Sequence, residues 1–261
     1  MADPLAHRRE IRYHFASFRF LEILGQPVRR LRDESRINMA EPWGVIFDMD
    51  GVLVDSFQAH FESWQSLANE VGVVYSVEAF HRTFGRTGRE IIHEEWGRTD
   101  WPLDHVDRLV HRKEVLYREL VEREFPAMDG AAELIENLAA AGCRIAIGSS
   151  GPRENVELAI DRLAVGTHLA AWVTGHDVTR GKPDPEVFLK AAERMTLSPD
   201  RCIVIEDSPP GIEAARRAEM ACVGVISTGH TPADAAGATL AVRSLRELNP
   251  ENLSSLLTAR R

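Results

Sequence analysis

From about residue 130 onward the chain repeats one unit: a helical stretch, a polar turn, then a short run of β-branched or small apolar residues. The runs are Arg144-Ile145-Ala146-Ile147, Ala171 to Thr174, Cys202 to Ile205, Cys222 to Ile226 and Leu240-Ala241-Val242. Between them, helices are expected near Glu154 to Leu163, Pro185 to Met195 and Pro210 to Ala218. Ahead of them Ala131, Leu134, Ile135, Leu138 and Ala139 share a helical face that Gly142 ends. Strands that alternate with helices pair in parallel, and a parallel sheet is covered on both faces. The alternation therefore predicts the α/β class, with a Rossmann-like doubly wound parallel sheet.

One more strand, Gly44-Val45-Ile46-Phe47, precedes this pattern, but no second strand follows it for many residues. From about Ala59 to Glu124 the spacing is helical, as in Phe61, Trp64, Leu67, Ala68 and Val71. Val71-Gly72 interrupts it, and further helical stretches run from Thr87 to Trp96 and from Asp104 to Glu124. This predicts an α-helical cap domain at 58–126 inserted into a core domain formed by 42–57 and 127–248, with a C-terminal tail at 249–261. The first 38 residues hold eight Arg, no Lys and five acids, so they carry +3 of a net charge of -9. Transit peptides are poor in acids, so 1–41 is expected to be a mobile N-terminal extension, or a consequence of a start codon placed before Met39.

A net charge of -9 argues against a general nucleic-acid binder, which would show a basic face. No apolar stretch approaches the length of a membrane span, so no membrane partner is expected. Cys143, Cys202 and Cys222 stand singly beside apolar runs, without metal or redox spacing. They read as small buried hydrophobes in a cytoplasmic protein. The oligomeric state has no signature.

The chemistry lies where the strands end. Phe47 is followed by Asp48-Met49-Asp50-Gly51, Ile147 by Gly148-Ser149-Ser150-Gly151, Thr174 through a loop by Gly181-Lys182-Pro183, and Ile205 by Glu206-Asp207-Ser208. The carboxyl ends of parallel strands converge on one rim, where ligands bind. Asp48 and Asp50 would share a face if the first strand stayed regular. Asp-x-Asp-Gly alone also suits a solvated turn. A calcium loop is excluded, because Val52, Leu53 and Val54 cannot supply its further ligands.

With four such motifs in order over about Trp43 to Leu248, the sequence resembles the haloacid dehalogenase superfamily, and within it the phosphatases and phosphomutases whose helical cap follows the first strand. The resemblance implies Mg²⁺-dependent phosphoryl transfer through an aspartyl-phosphate on Asp48, with Asp50 as acid and base. It implies that Asp48, the Asp50 carbonyl, Asp207 and Glu206 hold Mg²⁺, and that Ser149, Ser150 and Lys182 hold the phosphoryl group. Glu206 also suits a salt bridge with Lys182. The expected reaction is hydrolysis of a small phosphorylated metabolite such as a sugar phosphate. A β-phosphoglucomutase is the alternative, and a non-enzymatic binding protein on the same scaffold a remoter one. On the cap, His60, Arg86, Arg89 and Lys113 are the candidate substrate residues, while the basic run around Lys113 also reads as a solvated face. Trp64 and Trp101 read as packing residues.

Overall fold

The computed structural model of the protein describes residues 41–83 and 86–258. The expected extension lies outside them, except for its last residue. Six strands, β1 (Gly44–Phe47), β2 (Arg144–Gly148), β3 (Ala171–Val173), β4 (Cys202–Glu206), β5 (Ala221–Val225) and β6 (Leu240–Val242), form one sheet in the order β3-β2-β1-β4-β5-β6. Every pairing is parallel.

Two-sided burial explains why these runs are apolar at every position. Val45, Phe47, Ile145, Ile147, Ile203 and Ile205 point to one face, where they meet α5 (Ala131–Ala140) and α6 (Arg153–Leu163). Ile46, Ala146 and Val204 point to the other, against α7 (Glu186–Arg194) and α8 (Pro209–Arg217). This is the alternation expected of consecutive strand residues. Residues 249–261, expected to be a tail, instead include α9 (Pro250–Thr258), which packs Leu253 and Leu257 into the first of these layers. The two leucines are four apart, one turn of a helix, and both are buried.

Between β1 and β2 lie α1 (Phe57–Glu70), α2 (Val77–Thr83), α3 (Gly88–Glu90) with the π-helical turn Ile91–Glu95, and α4 (Leu103–Arg123). They enclose their own apolar cluster, including Trp64, Leu67, Phe80, Ile92, Trp96 and Val106. Trp64 meets Trp96 edge-on at 5.6 Å between ring centroids, so its role is packing. No helix among the described residues is long and apolar enough to cross a membrane.

The topology places β1 at the centre, with β2 on one side and β4 on the other. Phe47 is level with Ile147 and with Ile205, so the residues that follow these three strands emerge side by side. That is the point where the strand order reverses, the crevice in which such sheets bind ligands.

Candidate active site

Asp48 leaves the end of β1 with its backbone N–H donating to the Ile205 carbonyl at 2.9 Å. Lys182, on the loop between β3 and α7, lies with Nζ 2.8 Å from Asp48 Oδ1 and 2.7 Å from Glu206 Oε1. Glu206 spends its other oxygen on the Ser208 N–H and hydroxyl, at 2.6 and 3.0 Å. The carboxylates of Asp48, Glu206 and Asp207 each offer an oxygen within 4.8 Å of the others, and all three residues are buried. Two glycines make room for them. A Cβ on Gly51, whose φ is +72°, would lie 1.7 Å from Asp207 Oδ2, and one on Gly211 would lie 1.6 Å from Glu206 Oε1.

Three buried acids around one ammonium leave an excess of negative charge. Burial is the largest influence on Asp48 and raises it to about 7, although Lys182 opposes the shift and Glu206 adds to it. Burial likewise pushes Asp207 well up, with Glu206 and Asp48 as further causes. Lys182 stays charged: burial works against its ammonium, and Asp48 and Glu206 more than compensate. An all-carboxylate donor set around such a deficit of positive charge suits a hard divalent cation.

Asp50 faces elsewhere. β1 ends at Phe47 and the chain turns, with Leu53 and Val54 donating back to the Met49 carbonyl. The regular strand that would have put both acids on one face does not continue. Asp50 Oδ1 instead meets His60 Nε2 at 3.1 Å, and His60 Nδ1 meets Lys113 Nζ at 2.7 Å. An ammonium can only donate, so Nδ1 accepts and the ring proton sits on Nε2, aimed at Asp50. Burial alone would raise Asp50; the His60 contact, with Lys113 behind it, holds it at about 2. Tyr117 stacks on the His60 ring, 4.3 Å between centroids, and its hydroxyl lies 3.4 Å from Asp50 Oδ1.

Lys113 is therefore not on a solvated face: it is 3% exposed and enclosed by His60, Glu114, Trp64 and Tyr117. Its place in a helical stripe with Val106, Tyr117 and Val121, all buried, is the sequence signal that identifies it. Arg86 and Arg89 are not brought to this cluster. Arg86 pairs with Glu94, and Arg89 makes a two-pronged bond with Asp107 at 2.6 and 2.8 Å on an exposed surface. Ser149 is buried, and its hydroxyl accepts from the Gly151 N–H at 3.0 Å, while Ser150 is exposed. Two further residues had no sequence signal. Ser227 donates to Asp207 Oδ2 at 2.7 Å, and His230 Nε2 stands 3.5 Å from the same oxygen.

A model of the haloacid dehalogenase-like hydrolases matches residues 44–219. The chain belongs to this family. Among its relatives, a phosphorylated carbohydrates phosphatase of Thermotoga maritima is 34% identical over 67% of this chain and 80% of its own. A β-phosphoglucomutase of Bacillus subtilis is 31% identical over 80% of this chain and 92% of its own. Among solved structures, a haloacid dehalogenase hydrolase of Entamoeba histolytica has a TM-score of 0.76 and 26% identity over 82% of this chain and 99% of its own. As a hydrolase of this family the protein is an enzyme, and Asp48, Lys182, Glu206 and Asp207, from three of the four strand-end motifs, lie together.

Proposed function

We propose that the protein is a Mg²⁺-dependent phosphatase of small phosphorylated metabolites, such as sugar phosphates, in which the phosphoryl group passes through Asp48. The observation that carries this reading is the Asp48–Lys182 pair, 2.8 Å apart, beside the carboxylates of Glu206 and Asp207. A carboxylate at that point can attack phosphorus and divide one hard displacement into two easier ones. Lys182 supplies fixed positive charge to the transferring phosphoryl oxygens, and Ser149, with the N–H groups of its loop, supplies hydrogen bonds. Asp48, Asp207, the Asp50 carbonyl and Glu206, directly or through water, would hold Mg²⁺. When bound there, the ion would offset repulsion between the acids and an anionic substrate.

Asp50 moves the proton. With its pKa held at about 2 it is ionised, the form that can accept a proton from the water that releases phosphate from Asp48. To protonate a departing ester oxygen it draws the proton that His60 Nε2 points at it, while Lys113 resupplies Nδ1. On this reading residues 58–126 act as the cap and 42–57 with 127–248 as the core, joined by two linkers that allow the cap to open and close. The buried His60–Lys113 pair and the Bacillus relative favour a β-phosphoglucomutase as the second reading, in which a sugar hydroxyl replaces water.

The deciding experiment measures phosphate release from a panel of phosphate esters with Mg²⁺, beside conversion of β-glucose 1-phosphate to glucose 6-phosphate. Net phosphate release from a sugar phosphate is the expected result; isomerisation without release transfers the assignment to the mutase. Ser227 gives a separate check on the metal. Its hydroxyl fixes Oδ2 of Asp207, and loss of such a support weakens metal affinity by roughly 10- to 100-fold. Ser227→Ala should raise the Mg²⁺ concentration for half-maximal binding, read by titration calorimetry, by that factor. An unchanged titration removes Asp207 as a ligand.

A further inference from the structure

The helix α4 is seated along α6 by polar contacts at two heights. At the lower one, Arg162 Nη2 donates to the Glu122 carbonyl at 2.9 Å. At the upper one stands Asn155, in the first turn of α6 and 3% exposed. Both ends of its amide are used: Nδ2 donates to Glu114 Oε2 at 2.7 Å, and Oδ1 accepts from Arg118 Nη1 at 2.8 Å. Glu114 and Arg118 are one helical turn apart on α4, so a single amide reaches both. An uncharged amide offers the carboxylate a donor on one atom and the guanidinium an acceptor on another, far enough apart to serve both at once.

The contact continues inward. Glu114 Oε1 accepts from Lys113 Nζ at 2.9 Å, Lys113 reaches His60 Nδ1 at 2.7 Å, and His60 Nε2 reaches Asp50 at 3.1 Å. Burial opposes charge on Glu114, yet Lys113, His60 and Asn155 hold its pKa below the usual range, so it stays a carboxylate. Four links therefore join α6 of the core to Asp50.

We propose that Asn155 is the core's catch for the cap and, through Glu114, a positioning residue that aligns Lys113 and His60 on Asp50 when α4 is seated on α6. This rests on the phosphoryl-transfer reading above. With α4 lifted, Glu114 loses its Asn155 donor and its charge falls wholly on Lys113, drawing the ammonium away from His60 Nδ1. The His60 ring then loses the contact at Nδ1 that holds it in line with Asp50. Closure of the cap and readiness of the acid become one event.

The test exchanges polarity across one gap. Asn155→Asp sets two carboxylates against each other, whereas the double variant E114Q/N155D restores a donor facing an acceptor, with Arg118 still served. Cap position is read from the distance between spin labels on V74C and D161C, with Mg²⁺ and inorganic phosphate present. Val74 is 95% exposed, Asp161 is exposed, and the three natural cysteines are buried and escape labelling. N155D should lengthen the distance and lower kcat on the best ester of the panel by roughly 10-fold, with little change in KM, and the double variant should recover both. Should N155D fail to fold, Arg118→Met removes the other half of the catch without touching Glu114 and should shift both readouts the same way. Unchanged distances, an altered distance with unaltered kcat, or a double variant no better than N155D overturns the proposal. If the unsubstituted protein releases phosphate from no ester, the phosphatase reading fails, while the distance and its rescue still decide the catch.

Discussion

Asp48→Asn should abolish turnover and leave the protein at least as stable as before. A neutral amide oxygen is a far weaker nucleophile toward phosphorus than a carboxylate, and removal of a covalent nucleophile typically lowers kcat by roughly 10⁴-fold or more. Stability follows a different account. The Asp48 carboxyl is buried between Lys182 and the acids Glu206 and Asp207, and its rise to about 7 shows that charge there is disfavoured on balance. A neutral group of the same shape relieves that repulsion, and Lys182 keeps its 2.7 Å partner in Glu206. The expected signature is no phosphate release, no acid-stable label after incubation with a labelled ester, and a melting temperature unchanged or raised by a few degrees. Residual activity within about 100-fold of the parent would remove Asp48 as the nucleophile.

What the sequence made legible follows from the physics of each position. The strands were readable because burial on both faces leaves an unbroken apolar run, and the residue after each run must sit on the sheet's rim. Asp48, Ser149 and Asp207 follow from that rule alone, and Lys182 needs one loop more. The direction of Asp50 was not readable, since the turn at Met49 to Val54 decides it through backbone bonds that an Asp-x-Asp pattern does not encode. Lys113 was obscured by Arg108, Arg112 and Arg118 around it; only its register with Val106 and Tyr117 marks it as inward. Arg86 and Arg89 illustrate the converse, because a helix-opening glycine loop suggests an anion site until Glu94 and Asp107 are seen to take the charge. Ser227 and His230 lie in a Ser-Thr-Gly-His turn whose composition carries no chemistry. Their relevance comes from a neighbour twenty residues away, since Ser227, just past the end of β5, reaches Asp207, just past the end of the adjacent β4.

Lys182→Met should be the most destabilising single change at this site, with a penalty that depends on pH and on metal. Asp48 and Glu206 have side chains 10% and 0% exposed, and both rely on one ammonium. Removing one partner of such a buried pair costs about 3–5 kcal/mol, or a fall in melting temperature of roughly 10 °C for a chain of this size. The sign with pH follows from the raised carboxyls. A carboxyl lifted from 3.8 to about 7 in the folded state contributes stability that is full below 3.8 and is lost as the pH rises through 7. Without Lys182 the acids are lifted further, so the variant's deficit should be small near pH 5, where they can take up protons, and largest near pH 8. A divalent cation does part of the work of the missing ammonium. Mg²⁺ at about 100 times its dissociation constant would return about 2.7 kcal/mol, and chelation would remove it. Melting curves at both pH values, with Mg²⁺ and with chelator, separate these contributions. A deficit equal at pH 5 and pH 8 would mean that Lys182 acts by packing over Phe188, whose ring centroid lies 5.0 Å from Nζ, and that the charge balance drawn around Asp48 is mistaken.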